Sequence, residues 1–338
     1  GVTLALRIVG ATFGGALRGY QYHTRSNAVA IAANLLRLAL TLGILALWKS
    51  MIAVQLAFAT AAAVSVLLMF SVARKSIEGF KIVFSKIGKN TIRELFRHTG
   101  HATARSGSMV FMFSTLVLIV GKVGSTEDVE VYAIASLIPS FIRGLLAGTQ
   151  NVFLPVITSL NAGGQIEKVK AVIKKGTHIS SALAGALLIL LFVFTQEVLS
   201  IWFKEAVPSE TVLVMRVLLI SVAGRGFFGI WLPSLAGIGH LRGLTIAAIT
   251  TAVGAIILEL ILLQDFVSVP MAASIALVAA LSAYMGLWLP IYGLRKLGIH
   301  PYEYIKDSLS QPLAASLVSI ASLWILSSIL LKENIHWV

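Results

Sequence analysis

The sequence predicts an all-α polytopic membrane protein of about ten transmembrane helices. Of its 338 residues, 57% are hydrophobic and only 12% are charged, about half the charged share of a soluble domain. Long apolar stretches recur along the chain, and each approaches the roughly 20 residues that a bilayer-spanning helix requires. These stretches are longer than barrel strands and do not alternate with a period of two. The composition therefore excludes an ordinary soluble domain, and the pattern disfavours a transmembrane barrel.

Each predicted span is an apolar stretch bounded by charged or turn-forming residues. The first stretch is the shortest, and the fifth is interrupted by Pro139 and Arg143. Because the chain begins with Gly1 inside an apolar run, we expect it to be incomplete at the N-terminus. In chain order the predicted spans are residues 2–18, 27–48, 51–72, 104–123, 130–150, 177–196, 211–236, 244–263, 269–293 and 312–331.

The connections between these spans alternate strongly in charge. With Arg18 included, one alternate set holds 17 Lys and Arg, whereas the opposite set holds Lys49, Lys204 and Lys332. The positive-inside rule places the basic set in the cytoplasm, so the chain enters from outside and ends outside. The net charge of +13 therefore describes orientation and membrane-embedded cations, and we expect no nucleic acid partner. The predicted cytoplasmic connections are residues 19–26, 73–103, 151–176, 237–243 and 294–311.

One connection, residues 73–103, is much longer than the others. Its apolar residues recur at helical spacing among Lys and Arg, which predicts a basic amphipathic helix at the membrane surface with a break at Gly88–Asn90. A solvated helix on the floor of the bundle is the alternative. The segment divides the chain into the remainder of an N-terminal lobe (1–72), a six-span C-terminal lobe (104–293), and a cytoplasmic turn with one additional span (294–338).

Lysine and arginine residues fall inside the predicted spans, where Glu259 is the one acidic residue other than Glu130 at the first position of the fifth span. An arginine at mid-membrane costs roughly 2.5–3.5 kcal/mol on insertion scales, so it usually faces a water-filled cavity or binds an anion. Because guanidinium forks onto phosphate oxygens, we predict a cationic cavity for a phosphate-bearing substrate. Capping by backbone carbonyls or lipid head groups is the alternative. The predicted binding residues are Arg37, Arg143 and Arg225 first, followed by Arg7, Arg105 and Arg216.

Glu259 lies toward the outer end of its predicted span. It is a candidate for ion coupling or for pairing with a cavity arginine, and an interfacial glutamate is the alternative.

Signals of enzymatic chemistry are poor. The absence of cysteine excludes thiolate metal sites and cysteine nucleophiles, and no HExxH, P-loop or nucleophile–base pattern occurs. A membrane-embedded glycan polymerase or ligase would need a sizeable outer loop, but the longest predicted one is 197–210. We therefore expect a transporter, with no catalytic residues, no cofactor and no metal site.

Three passages, in their order and spacing, resemble a known family. In the first, an RG-x-Q turn precedes an arginine-bearing span; in the second, a Pro-containing segment leads to a Gly-rich turn; in the third, a short turn joins two long spans. The chain therefore resembles the polysaccharide or oligosaccharide flippases of the multidrug/oligosaccharidyl-lipid/polysaccharide exporter superfamily. The passages are Leu17-Arg-Gly-Tyr-Gln-Tyr22 with Asn34-Leu-Leu-Arg37, Val131-Tyr-Ala-Ile-Ala135 with Phe153-Leu-Pro155-Val-Ile-Thr-Ser-Leu160, and Leu235-Ala-Gly-Ile-Gly-His240-Leu-Arg-Gly243.

The resemblance implies a two-lobe bundle around a central cavity, with part of the first lobe missing. It implies a flippase that moves an undecaprenyl-diphosphate-linked oligosaccharide across the bacterial cytoplasmic (inner) membrane by alternating access, for surface polysaccharides such as the O-antigen of lipopolysaccharide. The implied partners are the diphosphate head group of that substrate, membrane lipids and the polysaccharide polymerase machinery. A multidrug or other small-molecule antiporter of the same superfamily and a lipid II-type flippase are the alternatives.

Overall fold

The computed structural model describes residues 2–20, 22–48, 50–80, 88–203, 207–264 and 267–332, and these residues are almost entirely helical. This confirms the predicted all-α polytopic class. In chain order the helices are α1 (Val2–Gly19), α2 (His23–Trp48), α3 (Met51–Ser76), α4 (Lys89–Val123), α5 (Thr126–Asn151), α6 (Phe153–Ala162), α7 (Ile166–Val193), α8 (Thr195–Phe203), α9 (Ser209–Phe228), α10 (Trp231–Gly237), α11 (Leu241–Leu262), α12 (Val269–Leu281), α13 (Leu289–Leu297), α14 (Pro301–Tyr304) and α15 (Ser310–Lys332). Two π-helical segments, Ser282–Trp288 and Ile305–Leu309, join α12 to α13 and α14 to α15.

Within the described residues, eight helical segments are long and apolar enough to cross a membrane. They correspond to the second through ninth predicted spans. The first and tenth predicted spans also form helices, α1 and α15. The fifth predicted span, which Pro139 and Arg143 interrupt, is a helix as well. It lies in α5, which contains Pro139 in its interior.

Two predicted loops are largely helical. Residues 73–76 belong to α3, residues 89–103 form the beginning of the 35-residue helix α4, and residues 81–87 lie outside those that the structure describes. Nothing in the sequence of 89–103 stops a helix, since it contains no proline, so the basic amphipathic stretch continues directly into the apolar span. The predicted loop 151–176 likewise consists of α6, a glycine turn and the first turns of α7.

The chain divides into two compact units, Gly1–Ile92 and Arg93–Val338, called here the N-terminal unit and the C-terminal unit. In the N-terminal unit, α3 packs against both α1 and α2. Gly10 and Gly14 lie on the face of α1 that approaches α3, as in the small-residue contacts of membrane helices. The core of this unit is small and comprises Leu17, Val29, Met69, Ala73 and Ile77.

The C-terminal unit has two apolar cores. One joins α4, α5, α7, α9, α11 and α12, and the other surrounds the fully buried Trp231. The indole Nε1 of Trp231 donates a hydrogen bond to the Tyr304 hydroxyl at 2.9 Å, and that hydroxyl lies 2.9 Å from the hydroxyl of Thr177. Burial raises the pKa of Tyr304, so the hydroxyl stays protonated and neutral. These bonds fasten α14 to α7 and α10.

Three helices of the C-terminal unit are interrupted at an aromatic-Leu-Pro sequence. The junction between α5 and α6 comes just before Phe153-Leu-Pro155, and the junction between α9 and α10 comes just before Trp231-Leu-Pro233. The junction between the first π-helical segment and α13 lies within Trp288-Leu-Pro290. Proline has no N–H to donate to the preceding turn, so each sequence weakens the helix just before it. The breaks place backbone irregularity inside the bundle, where protein rather than lipid must surround it.

Each interrupted helix also ends in the same way. Gly164, Gly239 and Gly298 have positive φ angles of 68°, 87° and 60°, which favour glycine. The N–H of the following residue then donates to a carbonyl five residues earlier, as in His240 to Leu235 at 2.8 Å. The predicted turn 294–311 accordingly contains the Gly298 cap, the short helix α14 and the second π-helical segment.

Candidate functional sites

In the N-terminal unit, three arginines line one cleft of about 200 Å³, called here the α1–α3 cleft. Arg7 and Arg18 come from α1 and Arg37 from α2, so the structure brings together two predicted residues and one that was assigned to a loop boundary. Asn34 and Ser65 add polar groups. The full lining is Leu6, Arg7, Gly10, Ala11, Gly14, Arg18, Ala33, Asn34, Arg37, Phe58, Ala61, Ala62, Ser65, Val66 and Met69.

The arginines of the α1–α3 cleft make few contacts with the rest of the unit. The guanidinium carbon of Arg37 lies 5.6 Å from the centre of the Phe58 ring, a cation–π distance. The Nε of Arg18 donates to the Gly14 carbonyl at 3.1 Å. Glu78 is the one acidic residue in the sequence of residues 1–92, and no ion pair with these arginines occurs among the described residues. The cleft is therefore positively charged.

In the C-terminal unit, Arg105, Arg143 and Arg225 form a second group, called here the interior arginine cluster. Arg225 interacts electrostatically with both of the others and with Tyr284. The guanidinium carbon of Arg143 lies 4.5 Å from the centre of the Phe113 ring. The three Nε atoms and the Tyr284 hydroxyl are buried and have no hydrogen-bond partner among the described residues. Three predicted residues from α4, α5 and α9 are thus brought together.

The backbone of Arg225 is fixed by side chains of two other helices. The buried Gln150 amide on α5 donates to the Arg225 carbonyl at 2.8 Å and to the Ser180 hydroxyl on α7 at 2.8 Å. Ser180 in turn donates to the Gly226 carbonyl at 2.9 Å. A Cβ at Gly229 would overlap the Gln150 amide, so only glycine permits this approach. We call this arrangement the α5–α7–α9 junction.

Tyr284 belongs to a column of aromatic rings. It stacks on Trp288 at 5.9 Å between ring centres, and Trp288 stacks on Tyr292 at 4.7 Å. His240 meets the edge of Tyr292 at 6.0 Å. Burial, followed by the charge of Lys296, lowers the pKa of His240, so the His240 imidazole is neutral near pH 7.

The other predicted residues of the C-terminal unit, Arg216 and Glu259, are not members of the interior arginine cluster, although Tyr132 interacts electrostatically with both Glu259 and Arg143. Arg216 precedes Arg225 by nine residues, about 13 Å along α9 at 1.5 Å per residue, and its guanidinium lies 5.8 Å from the Phe192 ring. Glu259 is fully buried, and neither carboxylate oxygen has a hydrogen-bond partner within the described residues. Its electrostatic neighbour is Tyr132. Glu259 is therefore enclosed within the C-terminal unit.

Sequence reasoning missed Gln150, Ser180 and Tyr284. The repeated aromatic-Leu-Pro sequence was a usable signal, because it marks the helix breaks beside which Gln150, Arg225 and Tyr284 lie. The described residues contain no group of three or more His, Cys, Asp or Glu side chains that could hold a metal ion.

No protein-family model matches the chain, and no curated protein sequence matches it. Solved structures do resemble it. A crystal structure of MATE in the bent conformation aligns with a TM-score of 0.72 and 15% identity, over 88% of this chain and 67% of that chain. MATE in complex with MaD3S aligns with a TM-score of 0.66 and 15% identity, over 88% and 69%.

A third structure shows the inward-facing conformation of a multidrug resistance MATE family transporter of the MOP superfamily. It aligns with a TM-score of 0.59 and 15% identity, over 88% of this chain and 70% of that chain. The chain therefore has the fold of a membrane transporter. More specifically, it is the MATE fold, and the inward-facing structure is that of a multidrug resistance transporter.

Proposed function

We propose that this protein is a transporter that moves an anionic, lipid-linked oligosaccharide across the cytoplasmic membrane by alternating access. The observation that carries the proposal is the interior arginine cluster. Arg105, Arg143 and Arg225 lie together without an acidic partner among the described residues. Each such arginine costs roughly 2.5–3.5 kcal/mol at mid-membrane. A requirement for an anionic ligand explains why they are kept.

The chemistry of the ligand follows from the guanidinium groups. Arginine forms bidentate, charge-assisted hydrogen bonds with phosphate oxygens, and three of them match the charge of a diphosphate better than that of a single carboxylate. An undecaprenyl-diphosphate-linked repeat unit for surface polysaccharide carries such a head group. A lipid II-type substrate has the same diphosphate chemistry and differs in its sugars. The proposal includes the polysaccharide polymerase machinery as a partner and the bacterial inner membrane as the location.

A multidrug antiporter is the second candidate, and Glu259 favours it. A buried acidic side chain without a partner suits a transporter that exchanges cations for substrate, and one neighbour in structure is a multidrug resistance transporter. The interior arginine cluster argues against cationic drugs, because it would repel them. Drug susceptibility is therefore the measurement that separates the two candidates.

The proposal is tested by single Arg143→Gln and Arg225→Gln variants in cells that depend on this protein for surface polysaccharide. We expect surface polysaccharide to fall and lipid-linked repeat units to accumulate inside. Arg295→Gln is the matched control, because Arg295 is exposed near the end of α13. Normal export by both variants at normal protein levels would contradict the proposal. Unchanged polysaccharide with altered drug susceptibility would support the antiporter instead.

A further inference from the structure

We propose that the α1–α3 cleft is a separate binding site for a phosphate or diphosphate group, and that it takes this group without the attached sugars. The identity of the molecule that carries the group rests on the proposed function. The site itself rests on the geometry of the N-terminal unit alone. Arg18, which the charge pattern assigned only to orientation, becomes a binding residue.

The first argument is the depth at which the arginines lie along α1 and α2, measured from the turn that joins these helices. Arg7 lies 12 residues before Gly19, the end of α1, and Arg37 lies 14 residues after His23, the start of α2. At 1.5 Å per residue these positions are about 18 and 21 Å from the turn that joins the antiparallel helices. Arg7 and Arg37 therefore face the cleft at nearly the same depth. Arg18 lies at its turn end, so the cleft presents a cationic side chain toward either end.

The second argument is charge. Three guanidinium groups line the cleft, and Glu78 is the one acidic residue in the sequence of the whole unit. None of the three forms an ion pair within the described part of the chain. Apart from the Arg18 Nε, which donates to the Gly14 carbonyl, their donors are therefore available to an anion, and phosphate oxygens match the planar fork of arginine. Asn34 adds an amide donor on the same side as Arg37, three residues earlier on α2.

The third argument is size. The volume of about 200 Å³ is below the roughly 300–1,000 Å³ of ordinary small-molecule sites. Gly10 limits the width, because a Cβ there would lie 3.3 Å from Cγ2 of Val66 on α3. A Cβ at Gly14 would lie 3.5 Å from Nη2 of Arg18. The cleft therefore has room for a compact anion such as a phosphate or diphosphate group, whereas an oligosaccharide must lie elsewhere.

Because the chain contains no cysteine, Ser65→Cys gives a unique reporter within the cleft. The purified protein is treated with an anionic and a cationic methanethiosulfonate reagent, with and without inorganic pyrophosphate. We expect the anionic reagent to react at least about tenfold faster, as cationic clefts concentrate anions. Pyrophosphate should slow it, and adding Arg37→Gln should remove both effects. Ser71→Cys, exposed on the same helix and outside the cleft, is the control and should show neither.

Equal rates for both reagents, protection at both positions, or no modification of Ser65→Cys at all would each overturn the proposal. The phosphate source is tested in vesicles of phosphatidylcholine with and without phosphatidylglycerol. Protection by phosphatidylglycerol but not by pyrophosphate would assign the cleft to a lipid head group and contradict a diphosphate site. Protection by pyrophosphate together with normal export by Arg143→Gln and Arg225→Gln would support the binding site in the cleft and contradict the proposed function.

Discussion

The two units hold their arginines in different ways. In the N-terminal unit Arg7 and Arg18 are exposed within an open cleft, and the core cluster of its described residues comprises five buried apolar side chains. In the C-terminal unit the Nε atoms of Arg105, Arg143 and Arg225 are buried among extensive apolar packing. The same residue type is therefore open to the outside in one unit and largely enclosed by surrounding structure in the other.

This difference shows where binding and stability conflict. An arginine in a hydrated cleft keeps most of its solvation, so its removal changes stability little. A guanidinium that is buried without partners loses solvation and gains no hydrogen bonds in return. The C-terminal unit must offset that loss through packing, so we expect it to be sensitive to small changes at the α5–α7–α9 junction.

The largest expected effect is that of Gly229→Ala. The added Cβ would overlap the Gln150 amide and the Arg225 carbonyl, and overpacking of this kind typically costs about 1–3 kcal/mol. Gly43→Ala in the N-terminal unit is the matched control, because a Cβ there meets nothing within 4 Å. Thermal unfolding of the purified variants should show a lower midpoint for Gly229→Ala only. Equal midpoints would mean that the junction is as loosely packed as the N-terminal unit.

The next effect has the opposite sign. Arg225→Met removes a buried, unpartnered Nε while keeping the apolar stem, so the free energy of unfolding should rise by about 1–3 kcal/mol, the penalty of an unsatisfied buried group. Arg37→Met in the α1–α3 cleft should change it by less than about 0.5 kcal/mol. Both are measured by thermal unfolding in detergent. A loss of stability in Arg225→Met would indicate that the guanidinium is satisfied in the folded protein.

A smaller effect on stability, with a distinct effect on transport, is expected of Glu259→Gln. The amide keeps the shape of the side chain, so stability should change by less than about 1 kcal/mol. If Glu259 couples ions, transport by reconstituted protein should lose its dependence on the imposed proton or sodium gradient. Glu210→Gln is the control, since Glu210 accepts a hydrogen bond from Ser268 at an exposed site. Unchanged gradient dependence would assign Glu259 no part in coupling.

The sequence allowed most of the fold to be predicted, because bilayer thickness sets the length of apolar runs and cytoplasmic charge sets their direction. The predicted fifth span already ended at residue 150, close to the break at Val152. The break at Gly229 was not predicted, since proline in the first turn of the following helix is tolerated and leaves no gap in hydropathy. Residues 89–103 are helical, as the amphipathic pattern predicted, but their continuity with the following apolar span in one helix was missed, because a drop in hydropathy marks the end of an apolar run without ending the helix.

For the candidate sites, residue type was predictable and grouping was not. The cost of membrane-embedded arginine identified Arg7, Arg37, Arg105, Arg143 and Arg225. Which of them meet depends on how each helix is rotated about its axis, and a period of 3.6 cannot show this when nearly every position is apolar. Gln150 and Tyr284 were missed for the same reason, because their importance comes from partners on other helices.

The smallest effects are expected when one polar contact of a basic side chain is removed from each unit. Lys174 lies 2.9 Å from Asp307 and also contacts Glu303, whereas Arg25 donates to the neutral Ser76 hydroxyl at 2.6 Å. Exposed ion pairs contribute about 0.2–1 kcal/mol and are screened by salt. Lys174→Ala should therefore lower the unfolding midpoint slightly at low salt and not at 1 M salt. Arg25→Ala should have a similarly small effect that salt does not remove, because its partner carries no charge. If both effects vanish together in salt, Arg25 also takes part in a charge attraction that salt screens, and the contrast between a packed unit and an open one applies to their interiors alone.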